Sequence, residues 1–84
     1  MYELLLEQSA ERDLKRLEPG LLPRILSRIR SLGTDPRPHS SRKLSGSASD
    51  WRIRVGDYRI LYEIVDRQKI VRVMRVRHRR EAYR

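Results

Sequence analysis

Three arginines, Arg52, Arg54 and Arg59, punctuate the segment WRIRVGDYRILYEIV at positions 51–65. Guanidinium groups are planar, forked and weakly hydrated, which suits them to bidentate contact with phosphate. Trp51, Ile53 and Val55 alternate with Arg52 and Arg54, so a strand over 51–55 sends its apolar residues to one face and both arginines to the other. Gly56-Asp57 fits a two-residue hairpin loop, with glycine at the first central position as a type II′ turn prefers. In the returning strand, 58–65, Tyr58, Ile60, Tyr62 and Ile64 share one face, and Arg59, Leu61, Glu63 and Val65 the other. Directly opposed residues on neighbouring strands lie about 5 Å apart. The three arginines therefore converge on one phosphate if the pleats are in register.

The whole chain has the charge for such a task. It is 84 residues long, with 20 Lys+Arg against 11 Asp+Glu and a net charge of +9; its pI is near 11.0. Residues 1–42 hold 8 basic and 6 acidic side chains, residues 43–84 hold 12 and 5, and 17 of the basic residues are arginine. A basic excess gathered into one half is the footprint expected of a nucleic-acid binder; the competing reading is a solubilising surface, or one covered by an acidic protein. With no cysteine, disulfides and thiolate metal sites are excluded. The start MYELLLEQ lacks the basic and long apolar regions of a secretory signal, and no apolar run is long enough for a membrane span. The expectation is one cytoplasmic domain, 1–84, with a thin core.

Several elements must position the arginines. Tyr2–Glu7 reads as a first strand, buried on both faces. Ser9 is a plausible N-cap for a helix in which Ala10, Leu14 and Leu17 form the apolar stripe, and Glu18-Pro19-Gly20 ends it. A second helix runs from about Leu21 to Leu32, with Leu22, Ile25, Leu26, Ile29 and Leu32 inward and Gly33 as its cap. Positions 34–50 read as a long loop with Leu44 as its apolar anchor, a length that marks function or mobility. After the hairpin, DRQK turns the chain into a last strand, 70–76, whose alternation slips between Val73 and Met74 as at a bulge. The fold class is α+β in the order β-α-α-β-β-β, a small and mainly antiparallel sheet with a helical hairpin on one face. Trp51 is expected as a core anchor rather than a base-stacking platform.

WRIRVGDYRILYEI, followed by a further strand and VRHRREAYR, resembles the RelE/ParE superfamily of bacterial toxins from toxin–antitoxin pairs. The resemblance covers most of the chain and implies a RelE-like fold. It also implies one of two activities: ribosome-dependent cleavage of messenger RNA (RelE-like), or poisoning of DNA gyrase without nuclease chemistry (ParE-like). Arg79 and Tyr83 match the terminal arginine and tyrosine of the nuclease branch, Arg52 and Arg54 its basic strand pair, and Arg59 the arginine of its central strand. That pair often includes lysine elsewhere in the family, whereas both positions here are arginine. The resemblance implies an acidic antitoxin, the ribosome with its messenger RNA, and operator DNA reached through the antitoxin. A toxin that has lost activity and survives only in an antitoxin–DNA complex is the third possibility.

Metal-free RNA cleavage needs a base for the 2′-hydroxyl proton, positive charge for the pentavalent phosphate and an acid for the leaving 5′-oxygen. Arginine stays protonated and cannot be the base. Tyr83 is the first candidate because the family motif carries it, though it can equally stack on a nucleobase; His78 is second and Lys43 third. Lys43, Arg75, Arg77, Arg80 and Arg84 are expected to contact RNA or ribosomal backbone, a sequence-independent electrostatic role. No cofactor and no metal is expected.

Overall fold

The computed structural model describes residues 1–81. Five strands and two helices follow one another as β1 (Glu3–Leu6), α1 (Gln8–Lys15), α2 (Leu22–Thr34), β2 (Arg42–Lys43), β3 (Asp50–Val55), β4 (Tyr58–Val65) and β5 (Ile70–His78). They form one sheet in the order β1-β5-β4-β3-β2. β1 runs parallel to β5, and the other neighbours are antiparallel. Both helices lie on one face. Ala10, Leu14, Ile25, Ile29 and Leu32 from the helices meet Ile53, Val55, Ile60, Tyr62, Ile64, Val71, Val73 and Val76 from the sheet. The opposite face is left uncovered by any helix among the described residues.

The hairpin forms as its sequence requires. Gly56 has φ +58°, and Lys69 is the only non-glycine residue with positive φ among the described residues; a positive first and negative second central residue is the type II′ pattern. The slip in β5 is real: Leu61 opposes Arg75 and Tyr62 opposes Val73, so Met74 is the extra residue. Across it Val71, Val73 and Val76 all face the helices. β5 continues two residues beyond the expected end, to His78.

Four local expectations give way to tertiary structure. β1 is not buried on both faces: Leu5 is 36% and Leu6 38% exposed, because β1 is an edge strand and the helices cover one side only. Ser9 does not cap α1; the helix starts at Gln8 with Glu7 at the N-cap and no side-chain cap. The Ser9 hydroxyl instead donates to the Met74 carbonyl at 2.7 Å. Gly33 does not cap α2 but lies buried inside its last turn, and Asp35 is the C-cap. A Cβ on Gly33 would stand 3.2 Å from the Tyr2 carbonyl oxygen, so glycine there permits a close helix–strand approach. Finally, the long loop contains β2, a two-residue strand paired to β3.

Beyond β1, α1 takes over the outer edge of β5. The Glu7 amide donates to the Val73 carbonyl at 2.9 Å, Ser9 to that of Met74, and the Val76 amide donates to Asp13 Oδ2 at 2.9 Å. Asp13, 7% exposed, also accepts from Arg75 Nε and Nη2 at 2.9 and 3.2 Å. Burial pushes its carboxyl pKa up, but the Arg75 guanidinium and the Val76 amide outweigh burial and hold it below the ordinary value. A helix side chain thus satisfies strand backbone that would otherwise be an orphaned donor.

Candidate active site

Residues opposed in an antiparallel pair point to the same face, so the register itself assembles the site. Arg54 opposes Arg59, and Arg59 opposes Arg77: three arginines stand side by side on β3, β4 and β5. Two residues along, Arg42 opposes Arg52, Arg52 opposes Leu61, and Leu61 opposes Arg75. All of these lie on the open face, away from the helices. Arg59, at the centre, is only 7% exposed, enclosed by its neighbours on both flanking strands, whereas Arg54 is exposed.

Past β5 the chain stays against the hairpin. The Arg79 amide donates to the Asp57 carbonyl at 2.7 Å, which continues the ladder by one step. Arg54, Gly56, Asp57, Tyr58, Arg59 and Arg79 line a depression of about 110 Å³. A second depression, about 390 Å³, is lined by Ser40, Arg42, Arg52 and Arg54. Arg54 belongs to both. Asp57, at the hairpin turn, is the one acidic residue among the described residues that line the first depression; at the other end of the strands Glu63 accepts from Arg72 at 2.7 Å and from the Ser49 hydroxyl at 3.4 Å. Like charges held side by side at the hairpin end repel one another, and a bound phosphate would relieve that repulsion.

The remaining residues singled out in the sequence fall elsewhere. His78 opposes Tyr58, a helix-face residue, and the two rings meet edge to face at 5.3 Å. Its Nδ1 accepts from the Arg80 amide at 3.2 Å. His78 therefore stands on the far side of the sheet from Arg59. Lys43 opposes Trp51, also on the helix side. Trp51 packs against the core, with the Arg37 guanidinium over its ring at 5.3 Å. Arg75 is on the open face, but its guanidinium is engaged by Asp13. Arg77 approaches Glu81 at 3.7 Å, and Arg80 is exposed just after β5. Tyr83 and Arg84 lie outside the described residues.

Arg42 carries no signal in the sequence, because the two residues of β2 have no apolar pattern that separates them from loop. Only the strand pairing to Arg52 shows that it, rather than its neighbour Lys43, joins the arginine face.

A family model described as the ParE toxin of the parDE type II toxin–antitoxin system matches residues 4–83. A Methanocaldococcus jannaschii protein named as toxin RelE1 is 31% identical over 75 residues, covering 86% of this chain and 83% of that protein. The crystal structure of the RelBE2 toxin–antitoxin complex of Mycobacterium tuberculosis contains a chain that superposes with a TM-score of 0.81 at 30% identity, over 92% of this chain and 96% of that one. The archaeal RelE–RelB complex of Pyrococcus horikoshii gives 0.83 at 24% identity over 96% and 98%, a likeness of fold. The chain belongs to the RelE/ParE superfamily of toxins from type II toxin–antitoxin systems.

Proposed function

We propose that this toxin is a ribosome-dependent endoribonuclease that cuts translated messenger RNA by attack of a 2′-hydroxyl on the adjacent phosphate. The observation that carries the reading is the grouping of Arg54, Arg59 and Arg79 around one depression on the open face of the sheet. In the reaction the 2′-O–H proton passes to a base, the 2′-oxygen bonds to phosphorus, and the bond from phosphorus to the 5′-oxygen breaks. An acid then protonates the leaving oxygen, giving a 2′,3′-cyclic phosphate and a free 5′-hydroxyl. Negative charge grows on the non-bridging oxygens along this path. Fixed positive groups aimed at them lower the barrier more than they stabilise substrate.

Arg59 suits that central role, since burial between β3 and β5 restricts its motion. Arg54 and Arg52 extend the positive surface, and Arg79 closes the depression from the tail. Of the candidate bases, His78 and Lys43 stand on the opposite side of the sheet, which favours Tyr83. The toxin would be silenced by an acidic antitoxin covering the arginine face, and would reach operator DNA through that antitoxin. The Mycobacterium tuberculosis and Pyrococcus horikoshii relatives are complexes of toxin with antitoxin, which supports such a partner here.

The ParE name of the matching family model favours a second reading, inhibition of DNA gyrase without nuclease chemistry. Induction of the gene in a bacterial cell separates the two. Transcript 5′ ends that fall within translated codons support the nuclease; intact transcripts with gyrase-linked DNA damage support the inhibitor. Arg59→Ala should relieve growth arrest in the first case.

A further inference from the structure

We propose that Arg42, together with Ser40 and Arg52, forms a second phosphate-binding subsite, which holds single-stranded RNA about one nucleotide from the scissile phosphate. The subsite rests on the nuclease reading of the arginine face and deepens it. Four observations carry it.

The first is register: the Arg42–Arg52 pair is displaced from the Arg54–Arg59 pair by two residues along β3 and one strand across. That is about 7 Å along and about 5 Å across, the scale of one nucleotide step. The second is shape. The depression beside Arg42 is the roomier of the two, about 390 Å³ against about 110 Å³, and Arg54 joins them into one track. The third is charge: among the described residues, no acidic one lines it. The depressions around α1 differ, since one mixes Asp13 and Glu81 with Arg16, Arg75 and Arg77, and another mixes Glu11 with Arg12 and Lys15.

The fourth is preorganisation. Arg42 Nη1 donates to the Ser41 and His39 carbonyls at 2.9 and 3.4 Å. The Ser41 hydroxyl and amide both donate to the Pro38 carbonyl, at 2.7 and 2.8 Å. Arg28 reaches from α2 to the Ser40 hydroxyl at 3.2 Å. The guanidinium is thus steered while its remaining donors stay available for a bidentate contact. A polyanionic strand fits this lining better than an acidic peptide does, because the described residues that form it, Ser40, Arg42, Arg52 and Arg54, are all polar or charged and offer a peptide no apolar anchor.

The test measures binding of a fully 2′-O-methylated hexaribonucleotide, which cannot be cleaved by 2′-attack, to the purified toxin across a salt series. Arg42→Ala should weaken binding about tenfold and lower the slope of log affinity against log salt by about 0.7, the value for one phosphate on a single strand. Arg42→Lys should restore the slope. Arg30→Ala, an equal loss of charge on the helix side, should leave it unchanged. An Arg42→Ala slope equal to wild type, or an equal drop for Arg30→Ala, would overturn the subsite. So would Arg42→Ala weakening an acidic peptide while sparing RNA. Wild-type toxin that shows the Arg42-dependent slope yet leaves ribosome-bound messenger RNA intact would refute the nuclease and leave the RNA subsite standing.

Discussion

Asp13→Ala is the substitution whose cost the structure lets one work out most fully. It deletes three accepted hydrogen bonds, two from Arg75 and one from the Val76 amide. The Arg75 side chain is 38% exposed, so it rehydrates when its partner goes; the pair is worth under about 1 kcal/mol at that exposure. The Val76 amide is different. It is buried on the outer edge of β5, and an orphaned buried donor costs about 1–3 kcal/mol. The expected loss is therefore about 2–3 kcal/mol. In a domain of this size each kcal/mol shifts Tm by about 4–8 °C, so the transition should fall by about 10–20 °C. Asp13→Asn keeps one accepting oxygen for Val76 but loses the charge and one of the Arg75 hydrogen bonds, so it should cost about 1 kcal/mol. Urea and thermal unfolding followed by circular dichroism measure both. If the alanine variant came within 0.5 kcal/mol of wild type (about the scatter of neutral surface changes), the idea that α1 seals the edge of β5 through Asp13 would be refuted.

Other consequences follow from single contacts. Tyr62→Phe removes the buried hydroxyl that donates to the Pro36 carbonyl at 2.7 Å; a loss of about 1–2 kcal/mol is expected, read by urea unfolding. Burial pushes the Tyr62 phenol up to about 12, so spectroscopic titration should find a tyrosine still protonated at pH 11 that Tyr62→Phe removes. Gly56→Ala forces a side chain into φ +58° at the hairpin turn and should destabilise by about 1 kcal/mol. Hydrogen bonds from Arg37 and Tyr2 hold the Asp66 carboxyl at about 2. A depressed carboxylate adds stability above its unfolded value and loses it as pH falls through the folded one. Wild type should therefore lose stability between about pH 4 and pH 2, and Asp66→Asn should show a flatter curve over that window.

The strands and their faces were legible in the sequence because period-two alternation is a local signal: Ile53 and Ile60 inward, Arg54 and Arg59 outward. Even the bulge at Met74 showed, since a bulge breaks alternation where it occurs. What escaped depends on partners far along the chain. β2 has two residues and no apolar pattern, and exists only because β3 offers an edge. Ser9 has the type and position of a cap, but Met74, 65 residues on, presents a carbonyl that claims its hydroxyl. Asp13 sits in a short amphipathic helix with nothing local to mark it, yet its carboxylate binds β5, 62 and 63 residues away. The exposure of Leu5 and Leu6 follows from which strand is the edge, and that is topology rather than hydropathy. His78 was separated from the arginine face by the same bulge that shifts the parity of β5 after Val73.

In the proposed reaction the guanidinium group of Arg59, held between β3 and β5 beside Arg54 and Arg79, stabilises the phosphate being cut. The direct measurement is cleavage of messenger RNA on programmed ribosomes by purified wild-type and Arg59→Ala toxin, each shown by circular dichroism to be folded. The expected products end in 2′,3′-cyclic phosphate and 5′-hydroxyl, and the variant should cut about 100–1,000-fold more slowly, the usual loss for one such charge-stabilising group. A folded Arg59→Ala protein that cuts at the wild-type rate would contradict that role.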